Sequence, residues 1–302
     1  MVGHAQDDSE ATSLLGQPLQ RPIFPDDVRA RLTAELAEAE GAYFSALESA
    51  DAILLLGQRT GASGRLRDAI QVFTDGIARH PGDPRMYRYR GHRLISTRQF
   101  DRAVDDLTEA ARLVEGRAPE PEIPIGAPVD TPATYTLQFS IWYHLGLANY
   151  LRGDFAAARA AYHACTSFAP TDETMVAITH WHYMALRRLG AAEDAAYVLA
   201  PIHPNMAITE NRPYYRLTLL YIGALTPEET LAHNADDKDK GMGNNQALMD
   251  ATVGYGVANW HRYNGRRDEA DALCRHIIDR TPPGMAQFAF GYIAAEADLA
   301  RE

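Results

Sequence analysis

Residues 139–172 constrain the fold more tightly than any other stretch of the chain. Trp142, Leu145, Gly146, Gly153, Phe155, Ala158, Tyr162 and Pro170 stand at the spacings of two antiparallel helices joined by a tight turn. Small residues at Gly146 and Ala158 let the two helices approach closely, and Trp142, Leu145, Phe155 and Tyr162 fill the space between them. Gly153 falls in the turn. Pro170 ends the second helix because it has no amide hydrogen to continue the ladder. The same pattern recurs at a period of about 34 residues. Ile53, Leu56, Gly57, Gly64, Leu66, Ala69, Phe73 and Pro81 place one unit near 50–83, and Tyr87, Gly91, Phe100, Ala103 and Leu107 place the next near 84–115. A degenerate unit near 176–209 keeps Gly190, Ala195 and Leu199, but His180-Trp181-His182-Tyr183 replaces the small residue at the helix crossing. Pro201 and Pro204 close it. A last unit, near 251–284, carries Gly265, Ala270, Cys274 and Pro282. Such units bury their apolar faces by stacking on one another, so a chain of 302 residues needs no division into separate globular domains.

The segments between the units are distinct in composition. Residues 1–24 are polar and are expected to form a mobile tail ahead of a single solenoid domain at 25–302. Pro25-Asp26-Asp27 starts a helix with acidic groups at the positive end of its dipole. Its apolar positions, Leu32, Leu36, Tyr43, Phe44, Leu47 and Ala50, would cover the open face of the first unit. The insertion at 116–134 has four prolines within ten residues, Pro119 to Pro128, and is no helix. It is either a flap draped over a groove or a plain surface loop. Residues 210–250 are a non-repeat helical stretch, with Pro213 in the first turn of one helix and Thr226-Pro227-Glu228-Glu229 opening another. The polar Asp236–Gly241 loop has the outline of a calcium loop, but lysines at its third and fifth ligand positions exclude that metal. An amphipathic helix from Phe288 to Leu299 would cap the far end.

A formal net charge of −11, from 29 basic and 40 acidic residues, argues against nucleic acid or an anionic membrane as the main partner. No apolar run approaches the roughly 18–20 residues of a membrane span. Cys165 and Cys274 both sit on second-helix packing positions and are expected to be buried, small and inert. No metal or cofactor motif is present. Gly3 and Ala5 have the small-x-small spacing that ends a secretory signal, which tilts the expected location slightly toward export.

The repeated unit resembles the tetratricopeptide repeat. From about residue 50 to 300 the chain resembles uncharacterised bacterial tetratricopeptide proteins. The likeness is carried by Ile141-Trp142-Tyr143-His144-Leu145-Gly146, Thr179-His180-Trp181, Glu210-Asn211 with Tyr214-Tyr215, Gly254–Trp260 and Phe290–Leu299. The resemblance implies an all-α, right-handed solenoid with capping helices at both ends. It supplies no reaction and no ligand.

In tetratricopeptide proteins certain positions of the first helices point into the concave groove. Applied here, that rule selects Arg85, Arg88 and His92, then Ser140, Tyr143 and Tyr150, then His180, Met184, Arg187 and Arg188, and finally Thr252, Tyr255, Asn259, Arg262 and Tyr263. The set is cationic and aromatic inside an acidic protein, which suits a carboxylate or an acidic peptide. It does not reproduce the family's carboxylate clamp, since His144, Ala177 and Trp181 stand where Asn, Lys and Arg are needed. His180 and His182 point about 200° apart on a helix and cannot share a metal. The expectation is an interaction scaffold, not an enzyme, that takes an anionic peptide in its concave groove. Two alternatives stay open: an Arg/His/Tyr pocket for a small ligand or a reaction, and an assembly protein that forms oligomers.

Overall fold

The computed structural model describes residues 9–123, 133–232 and 246–301. The Asp236–Gly241 loop, most of the proline-rich insertion and the Gly3/Ala5 spacing lie outside the described residues. Within them the chain is an all-α solenoid preceded by one small hairpin. Its helices are α1 (Asp26–Ser45), α2 (Ala50–Ala62), α3 (Leu66–Arg79), α4 (Pro84–Ser96), α5 (Phe100–Leu113), α6 (Leu137–Arg152) and α7 (Phe155–Thr166). They continue with α8 (Asp172–Arg188), α9 (Ala192–Val198), α10 (Arg212–Tyr221), α11 (Pro227–Leu231), α12 (Gln246–Tyr263), α13 (Arg267–Arg280) and α14 (Phe290–Ala300). No helix among the described residues is long and apolar enough to cross a membrane.

Short polar side chains start the helices by accepting orphan amides. Ser49 accepts from Ala52, Asp83 from Arg85, Thr136 from Phe139 and Asp154 from Ala157. Thr171 and Thr174 cap α8 reciprocally. Helices α2, α4, α6 and α8 stand side by side as the first members of their pairs, and α3, α5, α7 and α9 back them. Gly146 is needed where α6 crosses α7, because a Cβ there would lie 2.5 Å from the Tyr162 ring.

The regular stack ends at α8. Helix α10 wedges between α8 and α12, and α13 pairs with α12. Helix α14 then crosses back over α12 and α13 and reaches α6. It lies so close to α12 that a Cβ on Gly291 would collide with the Ala251 carbonyl. The capping helix is therefore drawn inside the array instead of covering its end.

The start of the chain departs from the expected mobile tail. Ser9–Thr12 pairs antiparallel with Pro18–Gln20. The buried Glu10 carboxylate accepts the amide of Arg67 in the first turn of α3 at 3.0 Å and the Arg21 guanidinium at 2.9 Å. A carboxylate at a helix N-terminus is favoured by the dipole, and this one pins the hairpin to the first repeat.

Candidate functional site

The cations and aromatics selected for the concave groove do come from neighbouring helices, but the chain itself supplies their partners. Arg85 pairs with Asp51 and Asp83 at 2.7 and 2.6 Å. Arg88 is buried against Glu122, with Nε and Nη2 at 3.0 and 3.2 Å from the two carboxylate oxygens. The Ser140 hydroxyl donates to the same Glu122 carboxylate. Glu122 belongs to the proline-rich insertion, whose residues 118–122 are tied down by Gln138 and by the Pro121–Thr136 bridge. His92 stacks near His144, ring centroids 4.6 Å apart, and the Phe290 ring at the start of α14 packs on both.

Further along, Asp298 of α14 collects the rest of the set. Its carboxylate accepts from Arg188 at 2.9 Å, from the Tyr255 hydroxyl at 3.2 Å and from Arg301 at 2.5 Å, with the Arg262 Nε at 3.5 Å. Burial alone would raise its pKa. The charge and hydrogen bond of Arg188, with Arg301 and Arg262, outweigh burial and hold it below the usual value. Tyr150 bonds Tyr255 at 2.8 Å and Asn259 at 3.3 Å. Arg262 also holds Asp271. Tyr143 reaches Tyr214 at 3.4 Å, and Tyr263 reaches Tyr183 at the same distance while Arg187 lies over its ring.

His180 is sealed between the rings of Tyr214 and Tyr221, with burial pushing its pKa down to about 3. Met184 is buried, as is Thr252, whose hydroxyl donates to the Leu248 carbonyl. Most of the expected anion-binding groove is thus interior, and its arginines are held chiefly by Asp51, Asp83, Glu122, Asp271 and Asp298 of the same chain. The positional rule gave the direction in which these side chains point, and had no means of showing what comes to meet them. Cys165 and Cys274 are buried and free, their thiols pushed up by burial.

An open site lies on the other side of the array, at residues outside the set selected for the concave groove. A groove of about 840 Å³ runs between α7 and α9 over the outer face of α8. Ala156, Arg159, Ala160, His163 and Thr166 form one wall, and their spacing puts them on a single face of α7. Met175, Ile178, His182 and Leu186 are the floor. Asp194, Tyr197 and Val198 of α9, with Pro201, form the second wall. Burial pushes the His182 pKa down to about 4, so the floor carries no charge at neutral pH.

The groove exists because α9 is short. It has 7 residues, against 14 in α3 and α5 and 12 in α7. Pro201 disfavours helix at Ala200 and offers no amide, so the chain turns inward and buries Ile202, Met206 and Ile208. The departing strand of chain is held firmly. Tyr215 bonds the Met206 amide and the His203 carbonyl, and the Glu173 carboxylate accepts the amides of Thr209, Glu210 and Asn211. The wall is therefore preformed. Pro201 and the degenerate fourth repeat were the signals in the sequence that the second-helix layer is incomplete here.

No family model matches the chain, and no curated protein matches it in sequence. Among solved structures it is similar to YrrB, described as a TPR protein with an unusual peptide-binding site, at 13% identity, covering 82% of this chain and 94% of that one with a TM-score of 0.44. It is similar also to Naa15/Naa10 bound to HypK-THB, at 16% identity over 89% of this chain and 39% of that one, TM-score 0.38. The P58(IPK) TPR domain is a third, at 12% identity, with 89% and 87% covered and a TM-score of 0.26.

Proposed function

We propose that the chain is an interaction scaffold, with no reaction of its own, that docks a partner segment in the outer groove between α7 and α9. One observation carries this reading. Arg85, Arg88, Arg188 and Arg262 of the concave face are paired with carboxylates of the same chain, whereas the α7–α9 groove is open, largely apolar and preformed. A concave cleft of largely apolar lining with a few polar groups at its rim is the usual form of a recognition site. Apart from His182 in the floor, the buried histidines and tyrosines sit in the interior, away from the groove.

The test is selection of peptides from a displayed library against the intact chain, followed by methyl NMR mapping of a selected peptide. Shifts at Met175, Ile178, Leu186 and Val198 are expected. Shifts confined to Ile95 and Leu147, on the concave side, would overturn the reading.

A further inference from the structure

We infer that the occupant of the outer groove is an amphipathic helix with an acidic flank, supplied by another protein. This rests on the docking reading above and names the chemistry of the partner. Three features carry it.

The first is what is missing. Each other repeat has a second helix of 12 to 14 residues laid across its first, and the fourth repeat stops at 7. The groove runs along α8 from Met175 to Leu186, which at 1.5 Å per residue is about 16 Å, or roughly three helical turns; its floor is mostly buried, and its exposed apolar surface lies on the walls, at Ala156 and Ala160 of α7 and at Tyr197 of α9. The floor residues Met175, Ile178, His182 and Leu186 form one stripe of α8, the kind of ridge against which another helix packs. A short helix with one apolar stripe would lie where the second helix of this repeat is cut short, covering Met175, Tyr197 and Val198.

The second is the wall opposite α9. Ala156 and Ala160 are small and exposed, so a helix backbone can come close to α7. An α7 lined with large side chains would hold it off.

The third is charge. Arg159 and His163, one turn apart on α7, present a guanidinium and an imidazole along the same rim. Among the described residues lining the groove the one carboxylate is Asp194, which meets Arg159 at 3.1 Å with both side chains about half exposed (52% and 53%). An exposed pair of this kind is held weakly and is readily exchanged. Carboxylates along the α7 side of an incoming helix would take over Arg159 and His163, leaving Asp194 for a basic residue on the far side. The anionic character expected from the sequence thus attaches to the outer rim, not to the hollow.

The experiment uses fluorescence anisotropy with the full chain and synthetic labelled peptides of about 14 residues. All share one apolar stripe at i, i+3, i+4 and i+7. One carries glutamates along the flank, a second carries lysines there, and a third is the acidic peptide with two central prolines that forbid a helix. The acidic helix should bind at least tenfold more tightly than the other two. Arg159→Glu with His163→Glu should reverse the preference toward the lysine peptide, and Ala160→Trp should abolish binding of every peptide while leaving the thermal melt unchanged. Equal binding of acidic and basic helices in a manner that Ala160→Trp still blocks would overturn the acidic flank and leave the groove reading standing. Undiminished binding of the proline peptide would overturn the helix. Binding that Ala160→Trp does not affect would overturn the groove itself, and with it both readings. A concentration-dependent dimer in light scattering, lost in Ala160→Trp, would assign the groove to a second copy and refute a partner in trans.

Discussion

Arg98 occupies the place where four other repeat turns have glycine. Gly64, Gly153, Gly190 and Gly265 take left-handed backbone in their turns, and Arg98 does so too, at φ 63°. A non-glycine residue there costs on the order of 1 kcal/mol. It is retained because the guanidinium, turned inward, bonds Glu296 of α14 at 2.8 Å with both side chains almost fully buried, and also bonds the Gln287 carbonyl. Arg98→Gly removes the strain but strands a buried carboxylate, a loss of about 3–5 kcal/mol, so the variant should be less stable by roughly 2–4 kcal/mol in urea unfolding. A stabilised variant would show that the pair contributes nothing. Gly146 sets the opposite test. Alanine is the better helix former by up to about 1 kcal/mol, but its Cβ meets the packed Tyr162 ring at 2.5 Å. Overpacking of about 1–3 kcal/mol should win, and Gly146→Ala should unfold at lower urea. The glycine at the helix crossing was legible in the sequence because small-large complementarity repeats. The role of Arg98 was not, since its partner lies 198 positions away.

At the scale of elements, the repeat helices were legible from spacing and caps, while their company was not. Beside the aspartates within the repeats, two acidic side chains from outside them close the concave face, Glu122 of the insertion on Arg88 and Asp298 of the last helix on Arg188 and Arg262. Neither belongs to a repeat position, so no rule about repeat positions could bring them in. The β-hairpin was missed for a related reason, that its strands are three and four residues long and one carboxylate, Glu10, fastens them. The segment at 118–122 is held chiefly by Glu122 and Gln138. Glu122→Ala should leave Arg88 buried without a counter-ion, at a cost of about 3 kcal/mol. Trypsin should then cut after Arg117 much faster than in the parent chain. An unchanged cleavage rate would mean that Gln138 and the Pro121–Thr136 bridge hold the segment without Glu122. Helix α9 shows the limit in the other direction. Pro201 announced its end, yet the groove it leaves depends on how α7 and α8 are spaced, which only the packed array reveals.

At the scale of the whole molecule, the array closes on itself through buried polar groups, and its stability should follow their protonation. His144 and His180 are both buried with pKa values pushed down to about 3, chiefly by burial. In the unfolded chain each titrates near 6.5. A depressed value means that the unfolded state binds more protons below about pH 6.5. Stability is therefore complete above that pH and falls as the solution is acidified, by about 1.4 kcal/mol per pH unit for each histidine. At pH 5 the two together remove about 4 kcal/mol, a large part of an ordinary domain's margin. Burial depresses His92 and His182 as well, so urea midpoints measured from pH 7 to pH 5 should drop by at least this much, and His180→Phe should flatten the slope by about a quarter. A midpoint independent of pH in that window would contradict the burial of both rings.

Carboxylates of the same chain occupy the hollow of this solenoid, and the proposed recognition lies on the outer side of α7, α8 and α9. Hydrogen–deuterium exchange of the full chain, with and without the acidic helical peptide, tests this most directly. Slower exchange confined to Phe155–Thr166 and Ala192–Val198, with α4 and α6 unchanged, is the predicted result. Protection of α4 and α6 instead, with none on α7 or α9, would contradict it.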